Sequence, residues 1–437
     1  MSNVLILGGL GAGQDATRHL LPYLLSLPEA ERPAFIRIVD RPLIIPAADA
    51  YTCYADGVFR KVIEDGVAKG TVEYVQGNLL TEETRRNAFV LPDHHGGPAV
   101  CFDHVFDFTG EIDHATPDAV HMERTLRLAS ALGNAAREHK VGAYIRRLPT
   151  CYRAGKEQKG RVGASGVVAE PWGKLAAWHH EAARALASIE GLKLVLVRPG
   201  LLYGPFVVSG VTPRLAVGEV YRHEGEKLDL LWSEDLAQNT VHAADFASAL
   251  VKTAQWACSQ PSREAILETH SEPLAPAAEL SKTIVDSVTT SESFKPPGGD
   301  IRATVFCAVD DGETTQLDIA RVTEEVMGVK IGFQGKIISS FAKLNLDDVT
   351  SDVNDKHLES WNNMLHASSP PISSSVPVSP AIPADLLGPE AISFDNSALK
   401  RLTGWAPKHS LTAKVTRETV EGFKAEGHWP VLPKGRK

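Results

Sequence analysis

Gly8-Gly9-Leu10-Gly11-Ala12-Gly13, reached from the apolar run Val4-Leu5-Ile6-Leu7, is the stretch of this chain best suited to hold a phosphate. Glycines let the backbone turn tightly and approach a pyrophosphate, which then rests against the N–H groups opening a helix. Asp40 ends a second β-type run, Phe35-Ile36-Arg37-Ile38-Val39, where a carboxylate accepts hydrogen bonds from an adenosine ribose. The two signals together suit a dinucleotide. Arg146-Arg147 also closes a β-type run, at the carboxyl edge where ligands sit in open α/β sheets. Two guanidiniums there suit an anionic substrate. Trp178-His179-His180-Glu181 offers metal-ligating side chains, but adjacent helical residues point about 100° apart and pair poorly on one ion. That stretch is expected to be a partly exposed helix face. Asp93-His94-His95 lies among Gly and Pro residues and is expected in a solvent-exposed loop.

The elements that would carry these residues alternate. After the glycine turn a helical pattern covers Ala16 to Leu27, and β-type runs follow at Val72–Val75, His104–Phe108, Ala143–Ile145 and Leu194–Val197. Helical stretches lie between them near 120–139 and 173–189, with others at Thr315–Met327 and Lys336–Leu346. Strands alternating with helices predict a parallel sheet covered on both faces. The expected fold class is α/β, a Rossmann-type doubly wound sheet with a smaller C-terminal mixed α/β substrate lobe. Residues 1–250 would form the dinucleotide domain, with 196–235 contributing in part to the lobe formed by 251–437. Segments 288–300 and 366–383 are dense in Ser, Thr, Pro and Gly and read as exposed loops, the second as the best candidate for disorder.

Composition narrows the function classes. A chain of 437 residues exceeds one ordinary core, and its 43% hydrophobic content suits a globular protein. A net charge of -9 and the lack of a basic block argue against nucleic-acid partners. No apolar stretch approaches the roughly 20 residues of a membrane span. The N-terminus lacks a basic leader and is spent on the first strand, so no signal peptide is expected. Five scattered cysteines without Cys-x-x-Cys read as reduced thiols of a cytoplasmic protein, with neither disulfides nor a zinc site.

Several segments together resemble the extended short-chain dehydrogenases/reductases, the NAD-dependent epimerase/dehydratase family. Besides the glycine turn and Asp40, Gly77-Asn78-Leu79 is similar to the family's Gly-Asp-Leu step against adenine, with Asn78 in place of the acid. Arg198-Pro199-Gly200-Leu201-Leu202-Tyr203-Gly204-Pro205 resembles Arg-Pro-x-x-Val-Tyr-Gly-Pro. Asn239-Thr240-Val241-His242-Ala243-Ala244-Asp245 resembles Val-His-Val-x-Asp, and Leu402-Thr403-Gly404-Trp405-Ala406-Pro407 the closing Leu-Gly-Trp-x-Pro. Asn354–Trp361 resembles an atypical branch in fungi and other microbial eukaryotes, to which no settled reaction is attached. The resemblance implies an NAD site, with NADP as the alternative, formed by Gly8, Gly11, Ala12, Gly13, Asp40, Asn78, Leu79, Thr109, Gly110, Lys174 and Pro199. Asp40 favours NAD by repelling a 2′-phosphate, and Arg41 beside it offsets this in part. Tyr203 and His242 would be structural, and Arg198 would support the loop beside nicotinamide or meet a substrate phosphate.

The sequence departs from the family where the chemistry is done. A Tyr-x-x-x-Lys pair normally supplies the proton donor and the lysine that tunes it and grips ribose. Lys174 stands for that lysine, 24 residues before Arg198, but Glu170 precedes it at the tyrosine spacing. Trp172, in Pro171-Trp172-Gly173-Lys174, occupies an aromatic slot without an exchangeable phenol. A literal Tyr152-x-x-x-Lys156 lies at a turn about 20 residues too early, with Thr150 as a hydroxyl partner. The proton donor therefore stays open among Tyr152, Thr150 and Glu170. The glycine turn is irregular as well: Gln14 stands at the third glycine of Gly8-x-x-Gly11, which moves the helix start towards Asp15. Gly11-Ala12-Gly13-Gln14-Asp15-Ala16 also satisfies Gly-x-Gly-x-x-Ala, an alternative register.

These expectations imply an NAD(P)-dependent oxidoreductase, epimerase or dehydratase acting on a small-molecule carbinol or carbonyl. The alternatives are a non-redox catalyst on the same fold and an NAD(P)-sensing regulator. Neither nucleic acid nor membrane is an expected partner. Family members dimerise through helices flanking the active site, so a homodimer half-burying 173–189 would explain the alanine content of that helix.

Overall fold

The structure, a computed structural model, describes residues 2–11, 13–44, 53–92, 101–155, 158, 160–278, 280, 300–334 and 345–432. Its centre is an eight-stranded sheet. The strands are β1 (Asn3–Gly8), β2 (Phe35–Asp40), β3 (Val72–Gln76), β4 (His104–Phe108), β5 (Ala143–Arg147), β8 (Leu194–Pro199), β12 (Glu272–Pro273) and β13 (Arg302–Ala308). Their order is β12-β13-β8-β5-β4-β1-β2-β3, parallel throughout except for β12 on β13. Because both faces are covered, β1 is apolar without alternation. Val4 and Ile6 join one core with α1 (Ala16–Ser26) and α8 (Ala243–Ser259), while Leu5 and Leu7 join the opposite one with α5 (Leu128–Glu138) and α6 (Lys174–Ala187).

α5 continues α4 (Asp118–His121) through a π-helical stretch, Met122–Arg127. A short hairpin, β6 (Tyr152–Ala154) with β7 (Ala169–Pro171), precedes α6, and β9 (Leu201–Tyr203) pairs with β11 (Thr240–His242). The C-terminal lobe is built on α7 (Thr212–Glu224), α10 (Gln316–Met327), α11 (Leu346–Ala367), α12 (Ala384–Leu387) and the pair β10 (Leu228–Leu230) with β14 (Ile331–Phe333). α10 begins at a capping box, Thr315 with Asp318, and ends at Gly328 in the left-handed conformation.

Several expectations change. The sheet takes β12 and β13 from beyond residue 250, so a cut at 250 does not part sheet from lobe. His366 and Ala367 close α11, and residues 368–383 lack regular structure yet are packed, with Ser368, Val378 and Ile382 buried. The Lys336–Leu346 helix expectation falls mostly outside the described residues, as do 288–299 and Asp93-His94-His95. Leu175 to Ala187 are all buried by the chain itself, since the 109–118 segment covers one side of α6 and 274–278 another. The alanines of α6 therefore need no partner subunit, and His179, His180 and Glu181 are not an exposed face. Among the described residues no helix is long and apolar enough to cross a membrane.

Candidate functional site

A cleft of about 480 Å3 runs along the carboxyl edge of β1, β2 and β4, lined by Gly8, Gly11, Asp40, Asn78, Leu79, Thr109 and Gly110. Gly8, Gly9 and Gly13 carry positive φ angles of 73°, 88° and 76°. A Cβ on Gly9 would lie 2.4 Å from Thr17 Oγ1, so the turn closes on α1 only with glycine there. Thr17 Oγ1 holds the turn by donating to Gly8 O at 2.7 Å. α1 starts directly after Asp15. Gln14 folds back, with Oε1 accepting from Gly11 N at 3.2 Å. Ala12 lies outside the described residues.

Asp40 is held by two amides: Oδ2 accepts from Leu10 N at 2.8 Å and Oδ1 from Arg41 N at 2.7 Å. Burial raises its carboxyl above the usual range, opposed by those bonds and by Arg41. Each carboxylate oxygen keeps capacity for a further donor, such as a ribose hydroxyl. Asn78 Oδ1 is engaged by Leu80 N at 3.1 Å, and Thr109 donates through N and Oγ1 to Asp107 Oδ1 at 2.9 and 2.7 Å. The arrangement of glycine turn, bare helix start and cleft-lining acid fits a dinucleotide.

A second chamber of about 150 Å3 adjoins the first through Gln14, Phe108, Thr109 and Ile112. Gly13, His114, Arg147, Thr150, Leu175, His179 and Ser209 are among its walls. Arg147 forms no ion pair or hydrogen bond with the described residues, and burial lowers its pKa while Asp15 nearby opposes the shift. Arg146 turns the other way: fully buried, it pairs with Asp107 and donates to Thr109 O at 3.2 Å. His114 Nδ1 meets Asp385 Oδ2 at 2.7 Å, so a residue of α12 orients an imidazole in the chamber wall. Thr150 Oγ1 lies 3.4 Å from Gly200 O, and Ser209 bonds to Asp15 through N and Oγ.

The head of α6 is used differently from the family pattern. Lys174 Nζ donates to Thr116 O at 3.1 Å, Trp178 Nε1 to Asp118 Oδ1 at 2.7 Å, and His179 Nε2 lies 2.7 Å from Glu111 O. These side chains clamp the segment after β4, and Lys174 lines neither chamber. Leu175 and His179, one turn apart, face the second chamber instead. Burial and the Arg146 charge push the His179 pKa down to about 3, so its ring is neutral at pH 7. Trp172 Nε1 donates to Asp385 O at 2.9 Å. Tyr152 is fully buried away from both chambers, its hydroxyl 3.4 Å from His180 Nδ1 and its ring 4.2 Å beneath Arg198. Arg198 is itself buried against Glu272 at 2.9 Å. Glu170, on β7, and Pro199, at the end of β8, line neither chamber. Lys156 lies outside the described residues.

Of the residues read from sequence, the structure gathers Gly8, Gly11, Asp40, Asn78, Leu79, Thr109 and Gly110 around one chamber and Gly13 and Thr150 around the other. Sequence reasoning missed His114, Asp385 and Ser209. His114 sits six residues past β4, at the carboxyl edge, which is a usable signal; Asp385 is 271 residues away and had none.

No family model and no curated protein matches the chain. Solved structures do share its fold. UDP-glucose 4-epimerase from Thermotoga maritima, solved with UDP-glucose, aligns at 14% identity and a TM-score of 0.57 over 97% of this chain and 99% of that one. The enzyme WbmG from Bordetella bronchiseptica, solved with NAD and UDP, aligns at 12% and 0.57 over 99% and 98%. A dTDP-glucose 4,6-dehydratase from Streptomyces venezuelae, solved with NAD, aligns at 14% and 0.56 over 98% of each. The chain thus shares the Rossmann-type fold of these solved epimerase and dehydratase structures.

Proposed function

We propose that this chain is an NAD-dependent enzyme, an oxidoreductase, epimerase or dehydratase, acting on a small organic alcohol or carbonyl compound. The observation that carries the reading is the pairing of the glycine turn with Asp40, whose carboxylate is fixed by Leu10 and Arg41 amides at the wall of the larger chamber. Asp40 would accept the adenosine ribose hydroxyls and disfavour a 2′-phosphate, and the turn's amides would meet the pyrophosphate. Exposed Arg41 leaves NADP as the weaker alternative. Bound nicotinamide would supply hydride transfer at a carbinol or carbonyl carbon.

The chain's own residues handle charge and protons. His114 Nε2, with Nδ1 tied to Asp385, is the group oriented to give or take a proton in the second chamber. Thr150 Oγ1 would relay or steady the substrate oxygen, and Arg147 would hold an anionic substituent. Lys174 acts as a positioning residue, tying down the segment that carries His114. A non-redox reaction on the same scaffold has one observation in its favour: among the described residues no phenol lines the second chamber. Five free cysteines, three of them buried, support a reducing, cytoplasmic setting. A homodimer, if formed, would use a face other than α6.

The test is calorimetric titration of the purified protein with NAD+ and NADP+, after mass spectrometry for copurified nucleotide. Micromolar or tighter NAD+ binding supports the proposal. Failure of both nucleotides to bind, with none carried through purification, overturns it.

A further inference from the structure

Charge in the second chamber comes down to one side chain. Arg147 lines it, bonds to nothing among the described residues, and has no nitrogen closed off from accessible space, unlike Nε of Arg146 and Arg198. The charges around it are spent on each other. Arg146, one residue away, pairs with Asp107, and Arg198, on the neighbouring strand, with Glu272. Asp15 pairs with Arg18 at 2.6 Å and accepts from Val208 N at 2.9 Å and Ser209 N at 3.2 Å. His114 is tied to Asp385 at 2.7 Å, and His179 is neutral at pH 7. A guanidinium drawn partly out of water without a counter-charge is costly, and burial lowers its pKa accordingly. One carboxylate would restore the balance through two parallel N–H bonds.

The rest of the wall is mostly apolar, from Phe108, Ile112, Leu148, Leu175, Leu201 and Leu202, with a hydroxyl from Thr150. Size adds a second limit. About 150 Å3 falls below the roughly 300–1,000 Å3 of ordinary ligand pockets. The chamber does not extend into the apolar cavity of the C-terminal lobe, because Arg214 closes the wall between them by donating to Gly210 O at 2.8 Å and Leu386 O at 3.2 Å. On its other side it opens to the first chamber at Gln14, Phe108, Thr109 and Ile112, where the nicotinamide end of a dinucleotide would enter and take up part of the space.

We propose that the second chamber selects a compact monocarboxylate, a hydroxy acid or oxo acid of few carbons, with its carboxylate on Arg147 and its reacting oxygen towards Thr150 and His114. A sugar nucleotide does not meet these limits. Its diphosphate brings two negative charges to one free cation, and a nucleoside with a hexose exceeds the space. The inference rests on the enzymatic reading above for the reacting oxygen, whereas the anion site stands without the dinucleotide.

The probes are lactate, 3-hydroxybutyrate and 2-hydroxyhexanoate, each beside its own neutral amide, titrated calorimetrically with and without saturating NAD+, with UDP-glucose as competitor. The expected result is saturable binding of at least one acid, about tenfold or more tighter than its amide. That gap should close to less than about twofold in Arg147→Gln and survive in part in Arg147→Lys, while NAD+ affinity of both variants stays within about threefold of native. UDP-glucose should not displace the acid. Three results on the native protein would each overturn the proposal, whether or not the variants fold: no acid binds, acid and amide bind alike, or UDP-glucose displaces the acid. A gap that persists in Arg147→Gln would do the same, as would a tenfold loss of NAD+ affinity there, which would give the guanidinium to the pyrophosphate. Failure of the native protein to bind NAD+, with the acid results intact, would remove the dinucleotide reading and leave the carboxylate site standing.

Discussion

Arg146 and Arg147 are adjacent on β5 and end in opposite environments: Arg146 is sealed against Asp107 with no exposure, and Arg147 faces the second chamber without a partner among the described residues. Successive residues of a strand point to opposite sides, so the pair divides into a structural and a chamber-facing cation.

The division predicts unequal costs. Arg146→Gln leaves the Asp107 carboxylate buried and short of its counter-charge, which typically costs about 3–5 kcal/mol. Arg147→Gln removes a cation that has no ion pair among the described residues and feels only the more distant Asp15, so stability should stay within about 0.5 kcal/mol or rise. Urea denaturation of both variants checks the ranking, and an equal loss would mean that Arg147 is structural.

Asp40→Ala should weaken NAD+ binding at least tenfold, about 1.4 kcal/mol, and narrow its advantage over NADP+, because the ribose acceptor and the negative charge go together. Gln14→Ala should hold or improve NAD+ affinity, since it uncovers the Gly11 N–H that Gln14 Oε1 now occupies. Weaker binding in Gln14→Ala would show instead that its side chain touches the nucleotide. Both are read by calorimetry.

Lys174→Ala should leave NAD+ affinity within about threefold, because the amine bonds to Thr116 O rather than lining the cleft, and one such bond is worth about 1 kcal/mol. Hydrogen exchange across 114–118 should quicken in the variant. A large loss of affinity with unchanged exchange would return Lys174 to a direct ribose contact.

Acid should destabilise the fold early. Burial holds His19, His180 and His242 at pKa values of about 4 and His179 at about 3, against 6.5 when unfolded. The unfolded chain therefore takes up protons first, and stability falls as pH drops from about 6.5 towards 4, by several kcal/mol in all. Urea midpoints measured at pH 7.5 and pH 5 should differ accordingly, and the difference should shrink in His180→Gln.

Asp310 works in the opposite direction. Burial raises its carboxyl to about 7, so the folded state binds its proton more tightly and stability contributed at acid pH is lost as pH rises from about 4 to 7. Asp310→Asn keeps an acceptor for Thr240 Oγ1, which lies 2.9 Å from the carboxylate, and removes the charge. The variant should gain roughly 1–4 kcal/mol over the native protein at pH 8 relative to pH 4. An equal effect at both values would mean that Asp310 is ionised throughout.

Much of the scaffold was legible because it is local. Val4–Leu7 must be a strand buried on both faces, the glycines after it need positive φ, and Asp40 ends the next strand at a spacing that brings it back to that turn. The groups proposed for acid–base work were not legible for the converse reason. Tyr152 and Lys156 have the right spacing, but Tyr152 points into the core beside Arg198.

Sequence alone determined six of the eight sheet strands, the glycine turn and the acid that faces it, since apolar periodicity and backbone sterics act over a few residues; β12 and β13 join the sheet only through tertiary pairing. Tertiary structure decided which residues meet at the far end of the cleft. His114 reaches Asp385, Arg146 reaches Asp107, and Lys174 turns to Thr116, because buried charges and amides pair with whatever the packed chain brings within about 3 Å, at any sequence distance.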